Sequence, residues 1–488
     1  MKINPMLLTD FYKISHKIMS EEGTEKIYST FTPRSSRIDG IDSVVFFGLQ
    51  GFIKDYLIDY FNTNFFNRPK EEVISEYKRI ITYTLGSNCA DTTHIEELYD
   101  LGYLPIKIKA LKEGTIVPIR VPVFTIENTN DKFFWLTNFL ETFISACLWK
   151  VTTTATISKK YRDICEKWAN KTADSNAHVQ WQCHNFSYRG MSGNEDAITT
   201  GASHLLFFTG TDTIPSIQYL EQYYGANVEK ELIAASVLAT EHSIQCQYQD
   251  DLRYYKRMIN EIAPNGIVSI VSDGYDYWNV IGSILPTLKD NIMSRDGKLV
   301  VRPDSGSPVK IICGDKNETN ELIYKGSIES LWNIFGGTIN SKGYKVLDSH
   351  IGLIYGDSIN PDRAEEIFKQ LEEKGFSSEN VVFGVGSYSL GYHTRDTFSF
   401  ALKATYTVIN GEEKFIYKDP KTDTDKIKKS QRGMVAVLQK DGVIYFEDGL
   451  NAENKNLLKD IDLLEDVFID GKLLRDESLS EIRERVLK

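Results

Sequence analysis

The chain has 488 residues, more than one hydrophobic core ordinarily organises, so two domains are expected. Its 41% hydrophobic and 25% charged residues are those of a globular protein, and no apolar run is long enough to cross a bilayer, which argues against a membrane partner. With 56 basic against 68 acidic residues the formal charge is -12, which argues against general nucleic-acid binding; a small anionic substrate stays open if the arginines are concentrated in one place.

The first ten residues, Met1 to Asp10, hold too short an apolar segment for a secretory signal. Cys89, Cys147, Cys165, Cys183, Cys246 and Cys313 show no C-x-x-C spacing, so neither a zinc site nor a disulfide framework is expected, and reduced thiols in a cytoplasmic protein are. Residues 43–60 carry helical apolar spacing, residues 106–126 alternate like strands broken at Gly114 and Pro118, and residues 134–149 read as a buried helix. These make an N-terminal α+β segment, 1–150. Residues 152–171 read as a further helix.

A repeating arrangement then begins. Apolar runs at 178–183, 205–208, 267–271, 299–301, 351–355 and 381–383 each end in small and charged residues, and helical stretches such as 215–224, 250–262 and 362–374 separate them. One run, Leu299-Val300-Val301, passes into Arg302-Pro303-Asp304-Ser305-Gly306, which supplies a guanidinium fork, a carboxylate and a backbone that can approach an anion closely. Taken alone this reads sooner as a strand-to-loop turn with its own ion pair. Six such ends in series predict parallel α/β architecture with functional groups gathered at the carboxyl ends of the strands. An irregular α/β barrel over 151–399 is expected, with a doubly wound open sheet as the alternative. From about residue 400 the pattern becomes antiparallel, with turns at Asn410-Gly411 and Asp441-Gly442, so 400–488 is expected to pack with 1–150 as a second, mostly β domain. A lysine-rich stretch from Lys418 to Arg432 reads as solvated surface.

Eight motifs in one order carry a resemblance. Leu8 to Lys13, His184 to Gly190, Gly210 to Thr213, Glu241-His242-Ser243, Val271-Ser272-Asp273, Arg302 to Gly306, Gly356-Asp357 and Thr394-Arg395-Asp396 together resemble nicotinamide phosphoribosyltransferase, from about residue 6 to about residue 433. The resemblance implies an irregular barrel beside a mostly β domain and a homodimer with shared active sites. It also implies a pentosyltransferase reaction: phosphoribosyl passes from phosphoribosyl pyrophosphate to nicotinamide, giving nicotinamide mononucleotide and pyrophosphate in NAD salvage. Mg2+ and ATP are the implied cofactors, and no protein-only metal site is expected.

Carried over residue by residue, Phe186 and the partner-donated Tyr12 would sandwich the pyridine ring, although an aromatic at 186 reads by itself as core. Asp212 would accept from the carboxamide and repel a carboxylate, or else cap a helix; Ser269 would add a hydroxyl, or else bond backbone. Asp304, Gly356 and Asp357 would hold the ribose, and Gly386 and Ser387 the 5'-phosphate, where the chain has Gly384-Val385-Gly386-Ser387 in place of a run of glycines. Arg189, Arg302 and His242 would surround the pyrophosphate, with Arg395 and Lys403 from the partner and Arg34 and Lys418 as further candidates. His242 would also accept a phosphoryl group from ATP, with Glu241 and Asp273 orienting it or binding Mg2+. His242, Arg302 and Asp304 are the catalytic candidates. The alternatives are a nicotinate phosphoribosyltransferase and a nucleotide-binding regulator without turnover. An aldolase or metal-dependent hydrolase would need a Schiff-base lysine or a His/Asp metal cluster at the strand ends, and neither is found.

Overall fold

The computed structural model describes residues 3–418 and 430–488. Most of the lysine-rich stretch, including Lys421, Lys426, Lys428 and Lys429, lies outside the described residues. The chain forms two compact units, one built from the chain up to Thr156 with residues 220–226 and 393–488, the other from residues 157–219 and 227–392. The joints thus lie at 156/157 and 392/393, where the sequence reading put them at 150/151 and 399/400. The first joint falls inside a single helix, Leu136–Thr172, which the sequence reading had split in two.

The first unit is mixed, with its largest sheet antiparallel. Seven strands lie in the order Glu412–Phe415, Ala401–Ile409, Thr24–Thr32, Phe124–Asn128, Ile106–Ala110, Glu465–Ile469 and Lys472–Leu473, so strands from both ends of the chain interleave. Phe31 stacks between Phe124 and Phe400 at ring separations of 4.9 and 5.3 Å, knitting three distant segments into one core. The two expected hairpin turns are present, with φ of 51° and 75° at Asn410 and Gly411 and 49° and 81° at Asp441 and Gly442, the left-handed pair that a two-residue hairpin loop needs. Residues 43–60 are not one helix: Ser43–Val45 is a strand paired with Ile116–Pro118, and the helical turns begin at Leu49.

The second unit is a parallel ring. Its strands are β1 (Cys183–Asn185), β2 (Gly210–Thr211), β3 (Leu238–Ala239), β4 (Val268–Val271), β5 (Leu299–Arg302), β6 (Ile351–Tyr355) and β7 (Val381–Val385), hydrogen-bonded in the order β2-β1-β7-β6-β5-β4-β3. Every pairing is parallel. A further parallel bridge joins Gly210 to Ala235, just ahead of β3, so the two edges meet and each strand neighbours the next in sequence. That is an irregular α/β barrel, with several strands only two or three residues long. The run 205–208, expected as a strand, is instead the tight turn that closes the helix Asn194–His204; its residues are buried for packing, and the strand is the pair Gly210-Thr211 after it. Among the described residues no helix is long and apolar enough to cross a membrane.

Candidate active site

The barrel strands end at a cavity of about 430 Å³. Phe186 follows β1, Asp212 follows β2, Glu241, His242 and Ser243 follow β3, Arg302 and Asp304 close β5, Gly356, Asp357 and Ser358 follow β6, and Gly386, Ser387 and Tyr388 follow β7; all of these line the cavity, with Arg189 and Gly190. Parallel strands present their final residues on one side, so segments nearly 200 residues apart converge without any of them being long.

One end of the cavity is aromatic and anionic. The Phe186 backbone N–H donates to the Val385 carbonyl at 2.9 Å, and its ring lies against Gly384, where a Cβ would come within 2.5 Å of Phe186 Cδ2. Only a glycine admits the ring there. The Arg302 guanidinium stands 5.9 Å from the Phe186 centroid, a cation–π distance. Asp212 is anchored by its backbone N–H donating to the Asn185 carbonyl at 3.0 Å. Its Oδ1 accepts from His184 Nε2 at 2.8 Å and from Ser236 Oγ at 3.0 Å. Burial acts to raise the Asp212 pKa, but the His184 and Ser236 hydrogen bonds and the Arg302 charge outweigh it, and the net shift is downward: the group is a carboxylate.

The other end holds cations and carboxylates. The Arg302 side chain has a buried Nε with no hydrogen-bond partner, and among the described residues neither it nor Arg189 is paired with a carboxylate. A half-buried guanidinium whose Nε has no partner calls for an anion at its remaining donors. Asp273, below the surface, receives the Asp304 backbone N–H at 2.9 Å and Ser305 Oγ at 2.6 Å on one oxygen and faces His242 Nε2 at 2.9 Å with the other. Burial again pushes up and these donors pull further down, so Asp273 stays ionised. Asp304 goes the other way: burial first, then the Asp273 and Asp357 charges, raise its pKa against the pull of Arg302 and His242. Glu241 accepts from Ser243 Oγ and makes no bond to His242, so of the two candidates it is Asp273 that orients the imidazole.

Eleven predicted residues thus share one cavity: Phe186, Arg189, Asp212, Glu241, His242, Arg302, Asp304, Gly356, Asp357, Gly386 and Ser387. Ser269 is buried on β4 and is not part of its lining. Tyr12, Arg395, Lys403, Arg34 and Lys418 belong to the first unit. There Tyr12 is exposed, Lys403 Nζ pairs with Glu141 at 2.7 Å, Arg395 with the adjacent Asp396 at 2.9 Å, and Arg34 Nε donates to the Ser399 carbonyl at 3.0 Å. Sequence reasoning missed four contributors: His184, Ser236, Gly384 and Tyr388.

Residues 181–468 match the nicotinate phosphoribosyltransferase family, and residues 4–108 match the nicotinamide phosphoribosyltransferase N-terminal domain. A nicotinamide phosphoribosyltransferase of Acinetobacter baylyi is 48% identical over 99% of this chain and 97% of its own length. The chain belongs to the nicotinamide phosphoribosyltransferases. Other proteins of that name from Mycoplasma genitalium and Xanthomonas campestris are 34% and 31% identical, over 88% and 98% of the chain and 94% and 97% of their own lengths. The fold is shared with a solved nicotinate-nucleotide pyrophosphorylase of Pyrococcus furiosus, at a TM-score of 0.58 and 16% identity over 100% of this chain and 95% of the other. It is shared too with human nicotinic acid phosphoribosyltransferase, at 0.56 and 13% over 99% and 93%. Gly386 caps the one-turn helix Ser387–Leu390, and Tyr388 adds an aromatic wall to the cavity.

Proposed function

We propose that the protein transfers phosphoribosyl from phosphoribosyl pyrophosphate to nicotinamide, giving nicotinamide mononucleotide and pyrophosphate for NAD salvage. One observation carries this reading: the cavity that contains the unpaired Arg302 and Arg189 also presents an ionised Asp212 beside the Phe186 ring. The pyridine packs on Phe186, and its carboxamide N–H donates to Asp212. With Oδ1 already occupied by His184 and Ser236, Oδ2 is the acceptor left for the amide. Nicotinate would bring a second negative charge to the same place, and like charges this close exclude it.

The chemistry asks little of acid–base groups. The pyridine nitrogen attacks ribose C1 with its own lone pair and loses no proton, so no general base is needed. Asp304 and Asp357 fix the ribose hydroxyls, and Gly386 and Ser387 meet the 5'-phosphate, which holds nucleophile and sugar in line. Arg302 and Arg189 stabilise the charge that develops on departing pyrophosphate. Among the described residues no cluster of three metal-binding side chains is present, while Asp304 and Asp357 are the hard oxygen donors that Mg2+ takes alongside phosphate oxygens. Asp304 and Asp357 would hold a magnesium ion carried by the substrate, and that ion would help neutralise the pyrophosphate charge. The reading extends to ATP: with Asp273 at Nε2, Nδ1 of the half-exposed His242 is the nitrogen left to attack the terminal phosphorus of ATP, forming an N–P bond as the P–O bond to ADP breaks and ADP leaves. It also extends to a cytoplasmic homodimer in which Tyr12, Arg395 and Lys403 of the neighbouring chain complete each site.

The test supplies phosphoribosyl pyrophosphate and Mg2+ with nicotinamide or nicotinate in separate reactions and measures the mononucleotide formed. Nicotinamide is expected to give the higher kcat/KM by about 100-fold, on the order of the several kcal/mol that juxtaposed like charges cost. Faster use of nicotinate contradicts the role of Asp212, and no product from either contradicts the enzyme assignment.

A further inference from the structure

Nothing above gives His184 a part in the reaction, yet its imidazole joins the two groups that define the amide end of the cavity. Its ring centroid lies 4.8 Å from that of Phe186, at 42°, and its Nε2 lies 2.8 Å from Asp212 Oδ1. It is held there from the opposite side: a Cβ at Gly210 would come within 2.8 Å of Nδ1, so the β2 backbone fits flush against the ring. The neighbouring His204 is fully buried, pushed down to about 3 by burial, and faces the Gly210 carbonyl with Nε2 at 3.1 Å, so it stays neutral and adds no charge.

We infer that His184 is a positioning residue for nicotinamide selection: by donating Nε2–H to Asp212 Oδ1 it fixes the carboxylate so that Oδ2 faces the carboxamide. The inference rests on the reading of Asp212 given above and deepens it. An aspartate side chain turns easily about its last torsion, where the energy wells are broad. The side chain of Asp212 is 47% exposed and feels the Arg302 charge, so without a tether it has another direction to turn. Two donors on one oxygen, His184 from β1 and Ser236 from the segment ahead of β3, remove that freedom. The hydrogen bond also keeps Asp212 ionised, and that negative charge is what turns nicotinate away.

The experiment compares wild type, His184→Ala, His184→Gln and Ser236→Ala in steady-state assays with nicotinamide, nicotinate and phosphoribosyl pyrophosphate each varied. Losing one charge-assisted hydrogen bond at a carboxylate is expected to raise KM for nicotinamide about 10- to 100-fold in His184→Ala and to lower the nicotinamide-over-nicotinate ratio by a similar factor. KM for phosphoribosyl pyrophosphate is expected to move less than KM for nicotinamide, because the lost bond lies at the amide end of the cavity and reaches the phosphate end only through the Arg302 charge. His184→Gln, whose amide can donate to the same oxygen, is expected to restore most of the ratio, and Ser236→Ala to fall between. An unchanged ratio in His184→Ala, or a His184→Gln enzyme as unselective as His184→Ala, overturns the inference. If His184→Ala does not fold, the ratio in Ser236→Ala and the His184→Gln comparison decide in the same way. A wild-type enzyme that does not prefer nicotinamide overturns the reading of Asp212 itself, which keeps the two failures distinct.

Discussion

Gly384 shows how a single atom sets the ring site. The Phe186 ring occupies the space a side chain at 384 would need, and Gly356 Cα lies behind it, 2.8 Å from the same added Cβ. Gly384→Ala therefore has to displace the ring, since backbone on the far side cannot yield. The expected outcome is a folded protein whose KM for nicotinamide rises about 10-fold or more, from lost stacking area, with thermal stability reduced by at most a few degrees. An unchanged KM would contradict stacking on Phe186. At this scale the sequence drew attention to Arg302 and Asp304, because a guanidinium and a carboxylate after an apolar run ask for an explanation, whereas Asp212 by itself read as a turn or helix cap and took its role from the resemblance. His184 did not, because a histidine inside a three-residue strand has no periodicity to betray which face it shares, and only the two-residue offset from Phe186 hinted that both rings point the same way. Gly384 read as a strand ending, since nothing in the chain says which side chain will cover it.

Whole elements were read well where they are long and poorly where they are short. The helices Pro215–Tyr224 and Pro361–Glu373 fell where the spacing placed them. The helix Leu136–Thr172 was cut at its threonines, residues of low helical preference. Three of those hydroxyls find partners along the continuous helix: Thr153 and Thr156 donate to the carbonyls four residues back at 2.7 and 2.8 Å, and Thr152 donates to the Phe47 carbonyl at 3.1 Å, while Thr154 Oγ1 is buried without one. Strands β2 and β3, at two residues each, leave no pattern to read.

A buried carboxylate ties other elements together. Glu113 accepts from the Gly48 and Gln50 backbone N–H groups at 3.1 and 2.6 Å and from Tyr224 Oη at 3.0 Å, while its own N–H donates to Glu477 in the C-terminal segment at 3.0 Å. Burial, aided by the Glu477 charge and opposed by those donors, pushes Glu113 up from 4.5 to about 7. A carboxyl raised in the folded state binds its proton more tightly there than when unfolded. Its contribution is therefore complete below the unfolded value and lost as pH rises from about 4.5 through about 7, a change of about 3 kcal/mol. Urea unfolding of wild type and Glu113→Gln across that window is expected to show the wild type losing that much more stability with rising pH. Parallel pH profiles would contradict it.

For the molecule as a whole, the proposed homodimer makes a distinctive demand, since Lys403 and Asp212 belong to different compact units and are to act in one site across two chains. Lys403→Ala and Asp212→Ala enzymes, each weak alone, are expected to regain activity when co-expressed. Random pairing makes half the dimers mixed, each with one intact site, so about a quarter of wild-type activity should return. No recovery, with mixed dimers verified by tags, would contradict shared sites. The barrel and its mouth were legible in the sequence because four of the six expected runs, 267–271, 299–301, 351–355 and 381–383, coincide with strands that end in small and charged residues; 205–208 is a turn, and 178–183 is mostly the short helical turn Val179–Trp181 ahead of β1. The closure of the ring through Ala235 was not legible, because a single bridge depends on how the strands curl.

The most direct measurement is a crystal structure of the protein with nicotinamide bound. The ring is expected to lie flat on Phe186 with its carboxamide nitrogen within hydrogen-bond reach of Asp212 Oδ2, and His184 Nε2 still on Oδ1. A ring bound away from Phe186, or a carboxamide whose nitrogen points away from Asp212, would contradict the reading at its centre.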